Sequence, residues 1–137
     1  MMPLPPLRPD GTLPPGVHPA TMVDVFARFP AITTQRQALN NALASAVATI
    51  TRLDLAERVV LDGSFVSAKP DPEDVDMVVL TPGVYQLTGE RVYAAAGIDL
   101  NLLDIQFAHD AVAFQGWIAF FSNDRNLVPK GVVLLIP

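Results

Sequence analysis

The sequence predicts a small α/β domain of the α+β kind, a mixed β-sheet flanked by helices. Three observations carry this. Short runs rich in valine and leucine, at residues 57–61, 75–80 and 132–136, are set off by turn residues, as buried strands are. Residues 34–52 are rich in alanine and place Leu39, Leu43, Ala46, Val47 and Ile50 on one stripe at spacings of three and four, the pattern of an amphipathic helix. From there to the last residue, strand-like and helix-like segments interleave.

Size and composition narrow the reading. A chain of 137 residues buries one core and not two. Half its residues are hydrophobic and 17% are charged, which suits a packed domain over a disordered one. A net charge of −5 gives no electrostatic footprint for long nucleic acid, so a small nucleotide or a protein is the better partner. The absence of cysteine removes disulfides and thiolate zinc sites, and His18 and His109 are too few for zinc without carboxylates. The proline-broken N-terminus does not resemble a signal peptide, and no run reaches 18 apolar residues, so a cytoplasmic protein without a membrane span is expected.

The elements follow in order. Residues 1–20 hold more than half of the thirteen prolines and are expected to form an extended arm on the surface or on a partner, with residues 21–137 as a single domain. His18 is expected to tie this arm to the body. Thr21 caps a short helix that Pro30 ends, and Thr33 or Thr34 caps the long one. Arg36 and Arg52 read as solvated charges. After strands at 57–61 and 74–80, a Pro82-Gly83 turn leads to a helix over 84–96 that Gly97 terminates. Residues 98–107 form the next strand, on which Asp99 and Asp104 face opposite sides. Asp110 caps a helix to residue 122 whose Phe114, Trp117, Ile118 and Phe121 are expected in the core. A loop then leads to the last strand, 132–136.

The chemistry concentrates in residues 59–81, VVLDGSFVSAKPDPEDVDMVVLT. Asp74 and Asp76 are two apart at the start of a strand, so their carboxylates point the same way while Val75 enters the core. Two like charges side by side need neutralising, and a hard divalent cation with oxygen ligands would do so. Gly63 lets the backbone approach a ligand closely, so the amides around Gly63 and Ser64 are a candidate phosphate cradle.

This arrangement, Gly63-Ser64 after one strand and Asp74-Val75-Asp76 opening the next, resembles the signature of the DNA polymerase beta nucleotidyltransferase superfamily. The resemblance implies a nucleoside triphosphate, ATP foremost, held at the Gly-Ser turn and two Mg²⁺ ions bound by Asp74, Asp76 and a third aspartate from a later strand. Asp99, which enters its strand where the preceding helix ends, is expected to be that third ligand, with Asp104 as the alternative. Lys69 and Lys130 are expected near the phosphates, and Arg125 is a further candidate. Asp62 departs from the superfamily, which usually has an apolar or aromatic residue there. Leu13-Pro14-Pro15-Gly16-Val17-His18, Gly63-Ser64-Phe65-Val66 and Lys130-Gly131-Val132-Val133 together resemble a largely uncharacterised bacterial group of nucleotidyltransferase-like proteins.

The implied activity is magnesium-dependent transfer of a nucleoside monophosphate, AMP foremost, to a protein or other acceptor. Small members of the superfamily often act beside a partner, many as the antitoxin of a toxin–antitoxin pair, so a cognate toxin is an expected partner and a homo-oligomer is left open. The alternative is a nucleotidyltransferase-fold binding module without catalysis that covers a partner protein.

Overall fold

The structure is a computed structural model that describes residues 4–81 and 89–136. Its elements run β1 (Gly16–Ala20), α1 (Met22–Arg28), α2 (Thr34–Leu53), β2 (Arg58–Asp62), a 3₁₀ turn (Gly63–Val66), β3 (Val75–Leu80), α3 (Gly89–Ala95), β4 (Leu103–Ala108), α4 (Ala111–Phe121) and β5 (Gly131–Leu135). The five strands form one sheet in the order β1-β5-β2-β3-β4. β2 is antiparallel to both β3 and β5, whereas β1–β5 and β3–β4 are parallel. The fold is therefore mixed α+β, as its sequence predicts.

Alternation along the strands divides the core in two. Val59, Leu61, Val75, Met77 and Val79 pack with Leu39, Leu43, Ala46 and Ile50 of α2. Their neighbours Val60, Val78 and Leu80, with Val132, face Phe114 and Ile118 of α4. Each helix thus covers one face of the sheet with its apolar stripe. Among the described residues, no helix is long and apolar enough to cross a membrane.

Three expectations change. The N-terminal arm is built into the domain, since Leu4 and Leu13 are buried in the α2-side core region and Gly16–Ala20 pairs with β5 as an edge strand. Proline does keep this segment extended, but backbone bonds from Gly131 to Leu13 and from Ala68 to Gly11 hold it against the body. The ring of His18 makes a 2.6 Å hydrogen bond with the carbonyl of Pro14, closing a turn within the arm.

Arg36 is not a solvated charge. It is 2% exposed, and its guanidinium donates to the carbonyls of Phe65 (3.0 Å), Ser67 (2.7 Å) and Lys69 (2.7 and 3.1 Å). The rings of Phe29 and Phe65 stand 6.0 and 5.4 Å from its carbon centre. Gln35 donates to the carbonyls of Pro72 and Glu73, so the start of α2 holds the whole connection from the 3₁₀ turn to β3.

The strand expected over 98–107 begins at Leu103 instead. Asp99 accepts hydrogen bonds from the amides of Asn101 (2.9 Å) and Leu102 (3.0 Å), which folds residues 99–102 into a turn. Gly97, at φ +84°, ends the helical segment as expected. The Pro82-Gly83 turn and the first residues of the expected helix lie outside the described residues.

Candidate metal centre

The site is assembled by strand register. Asp62 on β2 lies opposite Asp76 on β3, and Asp76 lies beside Asp104 on β4. Residues paired across strands share a face, so three carboxylates form a row across three adjacent strands. Asp74, two residues before Asp76, adds a fourth on the same side. Carboxylate oxygens of Asp74, Asp76 and Asp104 all lie within 4.8 Å of one another. Asp104 thus joins the pair, and Asp99 does not. The turn at residues 99–102 occupies the Asp99 carboxylate and places it ahead of the strand.

Gly63 is required at its position. Its φ of +73° lies in the left-handed region, and a Cβ there would collide with the carboxylate of Asp76. The Gly63-Ser64 turn and the aspartate row are therefore in direct contact. Ser67 donates to the carbonyl of Ser64 at 2.6 Å, and Arg36 fixes the carbonyl of Phe65, so the turn is held from behind.

Electrostatics make the row costly as it stands. Burial, together with the charge of Asp76, pushes the Asp62 carboxyl up to about 8. Burial and the charges of Asp74 and Asp104 push Asp76 up to about 7. Asp74 is also raised, chiefly by burial and then by Asp104. The opposing charges are Lys130, which acts on Asp62 and Asp76, and Lys69, which acts on Asp74. Neither lysine forms a salt bridge with the row among the described residues. Asp62 is fully buried, and neither of its oxygens has a hydrogen-bond partner there.

These residues fit a hard cation. Octahedral magnesium at about 2.1 Å from its ligands sets neighbouring oxygens about 3 Å apart and opposite ones about 4.2 Å apart. Oxygens already within 4.8 Å of one another reach that arrangement by small side-chain rotations. Excess carboxylate charge in a partly buried place is also what a divalent ion relieves.

Beside the row lies a groove of about 750 Å³ whose lining includes Gly63, Ser64 and Asp76. Phe120, Phe121, Arg125, Leu127 and Lys130 form much of the remainder. Of the expected phosphate contacts, Gly63, Ser64 and Lys130 therefore share one cavity with Asp76, and Lys69 stands on the Asp74 side. The sequence reading missed Phe120. The expected core stripe holds for Phe114 and Ile118, but Phe120 falls between its positions and is 69% exposed.

No curated protein matches the chain, and no solved structure does either. Over residues 5–136 the sequence matches DUF6932, a family of unknown function, and the chain belongs to that family.

Proposed function

We propose that this protein is a magnesium-dependent nucleotidyltransferase that transfers the nucleoside monophosphate of an NTP, with ATP the leading candidate, to an acceptor hydroxyl on a protein or smaller molecule. The observation that carries this is the convergence of Asp74, Asp76 and Asp104 within 4.8 Å beside a Gly-Ser turn that touches Asp76. The motif resemblance and the geometry point the same way, with Asp104 in the place first expected for Asp99.

In this reading Asp74, Asp76 and Asp104 hold the cations, and the amides at Gly63 and Ser64 receive the phosphates. Magnesium held by these aspartates would lower the charge on the triphosphate, activate the attacking oxygen and steady the departing pyrophosphate. The acceptor oxygen attacks the α-phosphorus as the bond to pyrophosphate breaks. Asp104 is the exposed member of the triad, so the acceptor is expected to approach from its side. Lys69 and Lys130 offset the negative charge, and Arg36 keeps the connection carrying Ser64 and Lys69 in place. Such chemistry depends on alignment and charge neutralisation more than on covalent help from the protein.

Calorimetric titration of ATP, GTP, CTP and UTP in magnesium tests the proposal, on wild type and on Asp74→Ala/Asp76→Ala. Micromolar, magnesium-dependent binding that the double variant loses is the expected result. No binding of any nucleotide by the wild type would overturn it. One observation favours a second reading, a binding module without catalysis: the buried Asp62 carboxyl, next in sequence to the phosphate cradle, has no hydrogen-bond partner among the described residues, and whatever fraction of it ionises opposes nucleotide. In that case the folded wild type binds a protein partner but turns over no NTP.

A further inference from the structure

We infer that the groove beside the aspartate row is the subsite for the base and ribose of the nucleotide, with the base stacking on Phe120. This rests on the reading of Asp74, Asp76 and Asp104 as the phosphate and cation end. Three features of the groove carry it.

The first is an aromatic face held ready. Phe120 is 69% exposed, yet its ring is braced edge-on by Phe121 (centroids 5.1 Å, 86°) and Trp117 (6.1 Å, 87°). Trp117 and Phe121 are themselves stacked at 5.8 Å. Contacts of this kind fix the plane of a ring, and the exposure of Phe120 leaves much of that ring accessible.

The second is the far wall. Leu127 is 80% exposed and adopts φ +61°, a conformation that bulky residues rarely take. The loop is nonetheless ordered. The Asp124 carboxylate accepts from the amides of Asn126 (2.8 Å) and Val128 (2.9 Å), and Arg8 donates to the carbonyl of Pro129 at 2.7 Å. An apolar side chain held in this unusual conformation on a fixed turn is what a clamp on a flat ligand needs.

The third is charge. Arg125 and Lys130 line the same groove as Phe120 and Leu127, and Gly63, Ser64 and Asp76 line it too. A ligand that joins an apolar ring to a polyanion matches this combination of surfaces. The cavity, about 750 Å³, lies in the range for ligands of nucleotide size.

The test compares Mg-ATP with magnesium tripolyphosphate, which has the phosphates and no base, on wild type, Phe120→Ala and Phe120→Trp. Phe120 lies mostly outside the core, so the variants are expected to fold, and their thermal unfolding verifies this. The proposal expects wild type to bind ATP more tightly than tripolyphosphate. Phe120→Ala should weaken ATP roughly tenfold, as loss of one base stack does, and leave tripolyphosphate unchanged. Phe120→Trp should keep ATP affinity within about twofold. Equal affinity of wild type for ATP and tripolyphosphate, or unchanged ATP affinity in Phe120→Ala, would overturn the stacking subsite while leaving the phosphate site standing. Binding of neither ligand would overturn both. If Phe120→Ala instead converts a dimer to a monomer in sedimentation without affecting ATP, the face is an interface between copies, and the subsite is also overturned.

Discussion

Arg36 and Asp62 are both buried charges, and they hold opposite sides of one segment. Each is at most 2% exposed, and between them they flank the turn and loop that carry Gly63, Ser64 and Lys69. Every nitrogen of the Arg36 guanidinium donates to a backbone carbonyl, and two aromatic rings stand near it. Both oxygens of Asp62 lack a partner among the described residues, and its nearest influences are other carboxylates and one lysine. A buried charge persists when its hydrogen-bonding capacity is met, and otherwise it gives up its charge. The arginine is thus explained by the fold. The aspartate is not, and the imbalance sits at the edge of a metal-fitting triad.

The largest effect is expected at Arg36. Arg36→Met keeps much of the apolar stem but leaves the carbonyls of Phe65, Ser67 and Lys69 without their donors. A loss of about 3 kcal/mol is expected from urea unfolding at pH 7, since each buried polar group left unpaired costs on the order of 1–3 kcal/mol. The same variant should bind Mg-ATP more weakly, because the loop behind Ser64 loosens. A stability loss below about 1 kcal/mol would mean that the loop is held by something other than this clamp.

At Asp62 the effect is read through pH. Its folded value of about 8, and that of about 7 for Asp76, lie above the ordinary aspartate range near 4. Between those limits the folded chain holds protons that the unfolded chain has released. Stability measured in chelator should therefore be greatest at or below about pH 4, as far as these two groups decide it, and fall steadily from there until the pH passes about 8. Asp62→Asn should flatten that fall and make the protein more stable than wild type at pH 8, with the difference shrinking toward pH 4. Magnesium acts in the opposite sense. It needs the ionised form of Asp76, so its affinity should rise as the pH passes about 7. A wild-type stability curve in chelator that rises from pH 5 to 8 and keeps its shape in Asp62→Asn would contradict the assignment.

Much of this was legible in the sequence because it is periodic. Spacing by two put Asp74 and Asp76 on one side and Val75 in the core, and the stripe from Leu39 to Ile50 is the buried face of α2. What escaped depends on where elements begin and what lies across from them. Arg36 is on the first turns of a helix, where a charge is usually wet, and only the carbonyls arriving from residues 65–69 make it structural. Ending the first strand at 61 left out Asp62, and with it the register that sets Asp62 opposite Asp76. Proline in the arm argued correctly for extension, but Leu4 and Leu13 are what bury it. In α4, helical spacing predicted the core positions Phe114 and Ile118, while Phe120 lies off that stripe and lines a groove with residues of the α4–β5 connection.

The smallest effect separates two aspartates that the sequence could not rank. Asp99 and Asp104 are five residues apart, and either could have supplied the third carboxylate. Asp99 is spent on its own turn, accepting from Asn101 and Leu102, and a local cap of this kind contributes about 1 kcal/mol. Asp99→Ala is therefore expected to lower stability by about that amount and to leave magnesium affinity unchanged at pH 7. Asp104→Ala should do the reverse, removing a ligand while relieving repulsion on Asp74 and Asp76. Fluorescence or calorimetric titration with Mn²⁺, paired with unfolding in chelator, reads both quantities on both variants. If Asp99→Ala abolished cation binding, the register that places Asp104 beside Asp76 would be wrong, and with it the row of carboxylates on which the site is built.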